Sequence, residues 1–193
     1  RVQPSARNSS TIARASFTRR PPFTLTYEIR PQARWSDGVP VSAQDFVFTD
    51  RAFRRHGRPE DPHRFVRSVT AVDAKTVRVV LRSRFAGWRS LFQWVLPRHA
   101  LAGEDLERVW TDQIQNPKTG EPIGSGPFLV KEWKRGEQLT LVRNPRYWGP
   151  HTAHIDRLVV RFCQGNCTGA EVLETLRRRD ADGGLSRDLA IVP

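Results

Sequence analysis

Methionine is missing from this chain of 193 residues, cysteine and tyrosine occur twice each, and only four of the 32 basic residues are lysines. Each scarcity excludes something. Cys163 and Cys167, with three residues between them, have neither the C-x-x-C redox spacing nor the second half of a zinc site. No apolar run approaches the ~18 residues that a membrane-spanning helix needs. The opening RVQPSARNSS shows neither an initiator methionine nor a signal-peptide pattern, so the expectation is of a processed or excised piece of a longer chain. In place of methionine stand six tryptophans and ten phenylalanines, and a hydrophobic fraction of 38% is low but compatible with one or two domains that own a core.

The formal charge of +12 is almost entirely arginine, against 20 acidic residues. Such an excess raises attraction to polyanions. The arginines are spread along the chain, however, and the longest run is Arg177-Arg178-Arg179. Clustering, more than the total, marks a nucleic-acid surface. A basic domain that binds nucleic acid or an anionic surface is therefore carried as an alternative, and nucleic acid is not the expected partner.

The best-signalled stretch is Tyr27 to Phe48. In Phe23 to Arg30, Phe23, Leu25, Tyr27 and Ile29 alternate with Thr24, Thr26, Glu28 and Arg30, the pattern of a half-buried strand. Trp35-Ser36-Asp37-Gly38 reads as a turn, with an exposed, ligand-stacking Trp35 as the other reading. Ser42 and Asp45 form a capping box for a helix running to about Arg55, with Phe46, Val47, Ala52 and Phe53 inward and Asp50, Arg51, Arg54 and Arg55 in water. Before it, Arg1 to Pro22 lacks a sustained period and is expected to be a loosely held leader or a single strand without its neighbours.

Beyond the helix, His56 to His63 is a loop, and Phe65 to Val72 and Thr76 to Arg82 are two strands. Phe85 to Val95 places Trp88, Leu91, Phe92 and Val95 at helical spacing, which predicts a buried helix, with an aromatic cage as the other reading. A weaker helix is expected over Leu101 to Gln113, with Leu106, Val109 and Trp110 as its apolar residues. Asn116 to Pro127 is a breaker-rich connection ending in Gly124-Ser125-Gly126-Pro127. Its glycines suit an anion cradle or, without a following Walker lysine, a hinge or close backbone approach. Phe128 to Trp133 and Gln138 to Arg143 should pair as a hairpin, with Tyr147 and Trp148 packing back on it. His154 to Phe162 is a further strand with Leu158, Val160 and Phe162 on one face, and Thr168 with Glu171 caps a helix to about Arg178.

Chemistry-bearing constellations are few. His56, His63, His99, His151 and His154 lie mostly in polar loops, and His151 with His154 has no third ligand, so neither metal nor cofactor is expected. No G-x-S-x-G elbow is present, and no residue receives a catalytic role. A hydrolase is kept only as a third reading. Cys163 and Cys167 leave three states open: a small disulfide suited to an oxidising compartment, two free thiols, or a redox or metal pair.

The ordered series TYEIRPQARWSDGVPVSAQDFVF, VRSVTAVDAKTVRVVLRS, IGSGPFLVKEWKRGEQLTLVRNPRYWG and HIDRLVVRF resembles the extracytoplasmic solute-binding proteins of family 5, the peptide, dipeptide and nickel class of ABC importers. Trp35, Ser36, Asp37, Gly38, Pro40 and Asp45 occupy the first motif of that family. Gly124, Gly126 and Pro127 match the second, with Ser125 and Phe128 as close substitutes, and Asn144, Pro145, Tyr147, Trp148 and Gly149 match the third. The resemblance implies a mixed α/β (α+β) fold of the periplasmic-binding-protein type II kind, as an incomplete fragment containing the smaller lobe and part of the adjoining one. Residues 1–22 would be the leader or stray strand, 23–123 the smaller lobe, and 124–193 a truncated part of its neighbour. These motif positions would be scaffold, and the ligand-binding residues are not assigned. The implied function is non-catalytic: capture of a small solute, foremost a peptide, outside the cytoplasm and its delivery to an ABC permease, with any membrane association through a lipid anchor outside this stretch.

Overall fold

A computed structural model describes residues 11–18, 20–57, 61–111, 115–150 and 153–162, without the side chains of residues 110 and 111. Cys163, Cys167, His151 and the helix expected from Thr168 lie outside the described residues. The chain builds a mixed α/β structure around two antiparallel sheets. The first contains β1 (Ile12–Phe17), β2 (Thr24–Ile29), β3 (Val66–Ala71) and β4 (Thr76–Leu81) in the order β1-β2-β4-β3. The second is β5 (Phe128–Lys134), β6 (Gln138–Arg143) and β7 (Arg157–Arg161) in chain order.

Alternation decides which face of the larger sheet is covered. Leu25, Tyr27 and Ile29 of β2 and Val77, Val79 and Leu81 of β4 are buried on one side, beneath helix α1 (Ala43–His56). Phe46 of α1 sits 5.0 Å from Phe92 and 6.3 Å from Tyr27, ring centre to ring centre, and Phe92 meets Tyr27 edge-on at 5.6 Å. Burial pushes the Tyr27 phenol far above its usual range, and its hydroxyl donates to the Trp88 carbonyl at 3.0 Å. Aromatic mass thus occupies the volume that methionine fills in other cores.

Four expectations require correction. Residues 12–17 are an edge strand paired antiparallel with β2 from Ile12↔Ile29 to Phe17↔Leu25, not a leader or a strand without neighbours. Its middle is exposed on both sides, so no period-two signal appears in the sequence. Phe85 to Val95 is not a helix but a 3-10 turn at Trp88–Ser90 followed by further turns. The Ser90 hydroxyl donates to the Gly87 carbonyl at 2.8 Å, a local bond that competes with helix propagation. Leu101 to Gln113 is divided into α2 (Arg98–Leu101) and α3 (Leu106–Thr111), with Gly103 between them at φ 92°. Asp50, expected in water, is 5% exposed because His63 at 3.0 Å and Arg54 at 2.8 Å both hold its carboxylate. His63 in turn is stacked on Phe53 at 4.9 Å and edge-on to Phe92 at 5.2 Å.

The hairpin turn between β3 and β4 is tied to α1. Lys75 donates from Nζ to the Val41 carbonyl at 2.6 Å, and Ala43 N–H donates to the Ala74 carbonyl. Burial, then the nearby Arg34, holds the Lys75 ammonium below its ordinary pKa. The second sheet is joined by the Lys134 to Glu137 turn, where Gly136 takes φ 75°. In β7 the buried residue is Val159, while Leu158 and Val160 on the other face are half-buried and Phe162 is exposed.

Phe46→Ala is expected to lower the unfolding free energy by about 3–5 kcal/mol in urea titration, because the cavity opens beneath Tyr27 and Phe92. Asp73 supplies a pH test. The Lys75 N–H foremost, then the Thr76 hydroxyl, lowers its carboxyl below the ordinary 3.8. A depressed carboxylate contributes stability that is complete above the unfolded value and lost as pH falls through the folded one. The stability difference between wild type and Asp73→Ala should therefore be largest above about pH 4 and shrink in more acidic urea melts.

Candidate functional site

Three turns meet between the two sheets. The first, residues 31–40, is closed by Trp35 N–H donating to the Val39 carbonyl and Gly38 N–H to the Trp35 carbonyl. Gly38 has φ 93°, a conformation costly for any residue with a Cβ, and Asp37 accepts the Val39 N–H at 3.1 Å. Trp35 is 3% exposed and part of the core, so the exposed, ligand-stacking reading of that residue is overturned.

Asp45 organises what lies behind the turn. Its Oδ2 accepts the Ser42 N–H at 2.8 Å, the Ser42 hydroxyl at 3.2 Å and a long 3.4 Å bond from the Trp35 indole. Its Oδ1 accepts the Arg98 N–H at 2.8 Å, so one buried carboxylate caps α1, holds Trp35 and receives the start of α2. Across the turn, His99 and Asp37 meet at 2.6 Å between Nε2 and Oδ2, and Lys118 donates to the His99 carbonyl at 3.2 Å.

Ser36 connects this turn to the second, residues 122–127. Its N–H donates to the Gly124 carbonyl at 2.8 Å, its hydroxyl donates to the Pro122 carbonyl at 3.0 Å, and the same oxygen accepts the Gly124 N–H at 3.2 Å. The Gly124 N–H is therefore engaged, and the geometry is the close backbone approach rather than an anion cradle. A Cβ on Gly124 would come within 3.1 Å of Leu129 Cδ2.

The third turn, residues 144–149, reaches both others. Asn144 is buried, donates its N–H to the Pro127 carbonyl at 2.8 Å and its side-chain amide to the Gly126 carbonyl at 2.9 Å, and accepts the Arg146 N–H at 3.0 Å. Arg146 Nη1 then donates to the Ser36 carbonyl at 3.3 Å, and the Trp148 indole donates to the Arg34 carbonyl at 2.8 Å. Trp148 packs against the core cluster that includes the larger sheet. A Cβ on Gly149 would collide with the Tyr147 ring and hydroxyl, which accounts for glycine there.

All fourteen motif residues singled out in the sequence, Trp35, Ser36, Asp37, Gly38, Pro40, Asp45, Gly124, Gly126, Pro127, Asn144, Pro145, Tyr147, Trp148 and Gly149, thus fall in or directly behind this joint. Arg34, His99, Arg146 and the Arg98 N–H joined them only in three dimensions; the contacts lie 53 to 114 residues apart and leave no local pattern. Chemically the arrangement fixes orientation: its charges meet partners inside it. Among the described residues no three His, Cys, Asp or Glu side chains come together in a group that could hold a metal ion.

A family profile described as bacterial extracellular solute-binding proteins, family 5 Middle, matches residues 12–175. LpqW of Mycobacterium tuberculosis, named a probable monoacyl phosphatidylinositol tetramannoside-binding protein, is 29% identical over 143 residues, 72% of this chain and 22% of LpqW. The peptidoglycan-binding protein YepA of Agrobacterium fabrum is 31% identical over 131 residues, 65% of this chain and 20% of YepA. The periplasmic EDTA-binding protein EppA superposes with a TM-score of 0.74 at 26% identity, covering 88% of this chain and 33% of EppA. The chain therefore spans between a fifth and a third of the length of these relatives.

Asp45→Ala removes the acceptor that α1, Trp35 and α2 share and leaves buried donors unpaired, so an unfolding penalty of roughly 2–4 kcal/mol is expected. Asp45→Asn keeps one carbonyl acceptor and should lose less, which thermal and urea melts of both variants will show.

Proposed function

The chain belongs to the bacterial extracellular solute-binding proteins of family 5, and on that premise we propose that it forms part of a receptor that captures a small solute and hands it to an ABC permease without any covalent step. The observation that carries this reading is the joint, where the three motifs of the family become one hydrogen-bonded contact between two sheets. Solute capture of this kind is a shift in population between open and closed forms, and its structural requirement is a framework that holds two walls in register. The motif residues are read as that framework. Residues 23–123, with β1 laid on their sheet, are taken as the smaller lobe and residues 124–193 as part of the adjoining one.

Within the family the solute is assigned to the peptide class, free or carried on a glycan. The named ligand of YepA is a peptide-bearing glycan polymer, which supports widening the peptide class in that direction. Capture takes place outside the cytoplasm, in keeping with the extracellular designation of the family, and the permease is the partner. The basic-surface and hydrolase alternatives gain nothing from the joint: Asp37 is held by His99, Asp45 by the capping donors, and Arg146 by the Ser36 carbonyl.

Isothermal calorimetry on the full-length protein, screened against short peptides, nickel chelates and oligosaccharides, should find one class bound reversibly and recovered chemically unchanged. Turnover of a probe without reversible binding would sink the proposal.

A further inference from the structure

Asp37 and Gly38 form the only Asp-Gly or Asn-Gly pair among the described residues, and they lie in the first turn of the joint, next to Ser36. Asp-Gly is a sequence prone to rearrange, because no Cβ screens the glycine nitrogen. That nitrogen attacks the side-chain carboxyl carbon of the aspartate; a C–N bond forms, water leaves, and the product is a five-membered succinimide. Water then opens the ring at one carbonyl or the other. The chain continues through the α-carboxyl as before, or through the β-carboxyl as isoaspartate. The water lost in the first step returns in the second, so the product is an isomer of the original chain and no redox partner is consumed.

Here each group that the first step needs is already engaged. Gly38 N–H donates to the Trp35 carbonyl at 2.9 Å, Asp37 Oδ1 accepts the Val39 N–H at 3.1 Å, and Oδ2 meets His99 Nε2 at 2.6 Å. Attack has to break the first bond and turn the carboxyl out of the other two. Two of the three are local to the turn. The third comes from α2, 62 residues further along the chain, where His99 lies 6.3 Å from the Trp35 ring, centre to centre, and has its carbonyl held by Lys118. The Asp37 side chain is 32% exposed, so burial does not keep away the water that opens the ring. Orientation is what remains to hold the reaction back. We propose that Asp37-Gly38 is a latent isoaspartate site and that His99 is the positioning residue that keeps it closed. An isoaspartyl linkage lengthens the backbone by a methylene inside the turn that sets Ser36 against Pro122 and Gly124, so modification at this point loosens the joint. The proposal stands on the joint and not on the receptor reading.

Full-length wild type, His99→Ala, His99→Phe and His99→Gln are aged together in neutral buffer below their melting transitions, beside wild type unfolded in guanidinium chloride. Isoaspartate at residue 37 is read by peptide mapping with electron-transfer fragmentation. Folded wild type should form it about tenfold more slowly than the unfolded chain, or slower still, and His99→Ala should remove most of that protection. His99→Phe keeps a ring beside Trp35 without a donor and should age as the alanine variant does. His99→Gln keeps an N–H donor and should retain most of the protection. A role in packing alone would let the phenylalanine variant keep the protection and the glutamine variant lose it. Thermal melts of fresh protein identify the folded variants, and the phenylalanine and glutamine pair carries the comparison where the alanine variant does not fold. Melts repeated after ageing should show a lower transition that tracks the isoaspartate content. Equal rates in folded and unfolded wild type overturn the latent site. A wild-type rate in His99→Ala or His99→Phe, or a rate in His99→Gln as fast as in those two, overturns the role of His99.

Discussion

Asp45 carries a constraint on which the remaining architecture depends. A carboxylate that is 3% exposed must have its oxygens satisfied inside the protein, and here they are satisfied by groups from three separate segments. Ser42 belongs to the helix cap, Trp35 to the turn before it, and Arg98 to the start of a helix more than fifty residues later. Each donor is thereby placed relative to the others to within a hydrogen-bond length. The turn at residues 31–40 can then present Ser36 outward to the second sheet at a fixed angle.

From that point the joint follows by backbone chemistry. Ser36 uses its N–H, its carbonyl and its hydroxyl on residues 122–124 and on Arg146, and Asn144 binds the second and third turns together. Amide and carbonyl groups withdrawn from water where these turns meet must find such partners or incur a desolvation cost. The result is a contact in which directional polar bonds fix the register of the apolar packing of Ile123 and Trp148 against the core.

How far this was legible in the primary structure varied with the range of the interaction. Period-two alternation revealed β2 and β4 because each has one covered face, and the Ser42 and Asp45 box marked the start of α1 within a few residues. β1 escaped because its four middle residues are exposed and carry no alternation, while its core contacts are confined to Ile12 and Phe17 at the two ends. Trp88, Leu91, Phe92 and Val95 imitated a helix, although the spacing arose from a 3-10 turn whose Ser90 hydroxyl competes for the backbone. Asp50 was assigned to solvent on the strength of its charge, because its partner His63 lies thirteen residues away with no spacing rule to announce it.

Local bonding and solvent alternation, then, are written into short windows of sequence: the strands other than β1, the glycine turn, the capped helix and the order of the family motifs could be read there. Partners separated by 86 to 114 residues could not, since nothing in Ser36 or Trp148 specifies Pro122 or Arg34 until the chain is folded around Asp45. Trp35 and Trp94 mark the division. Trp35 stands in a polar turn and Trp94 in a stretch whose spacing imitates a buried helix, and only the packing of β2, α1 and α2 sends the first indole into the core and leaves the second in water. Burial is a property of the assembled whole, because it depends on what other segments come to cover a side chain.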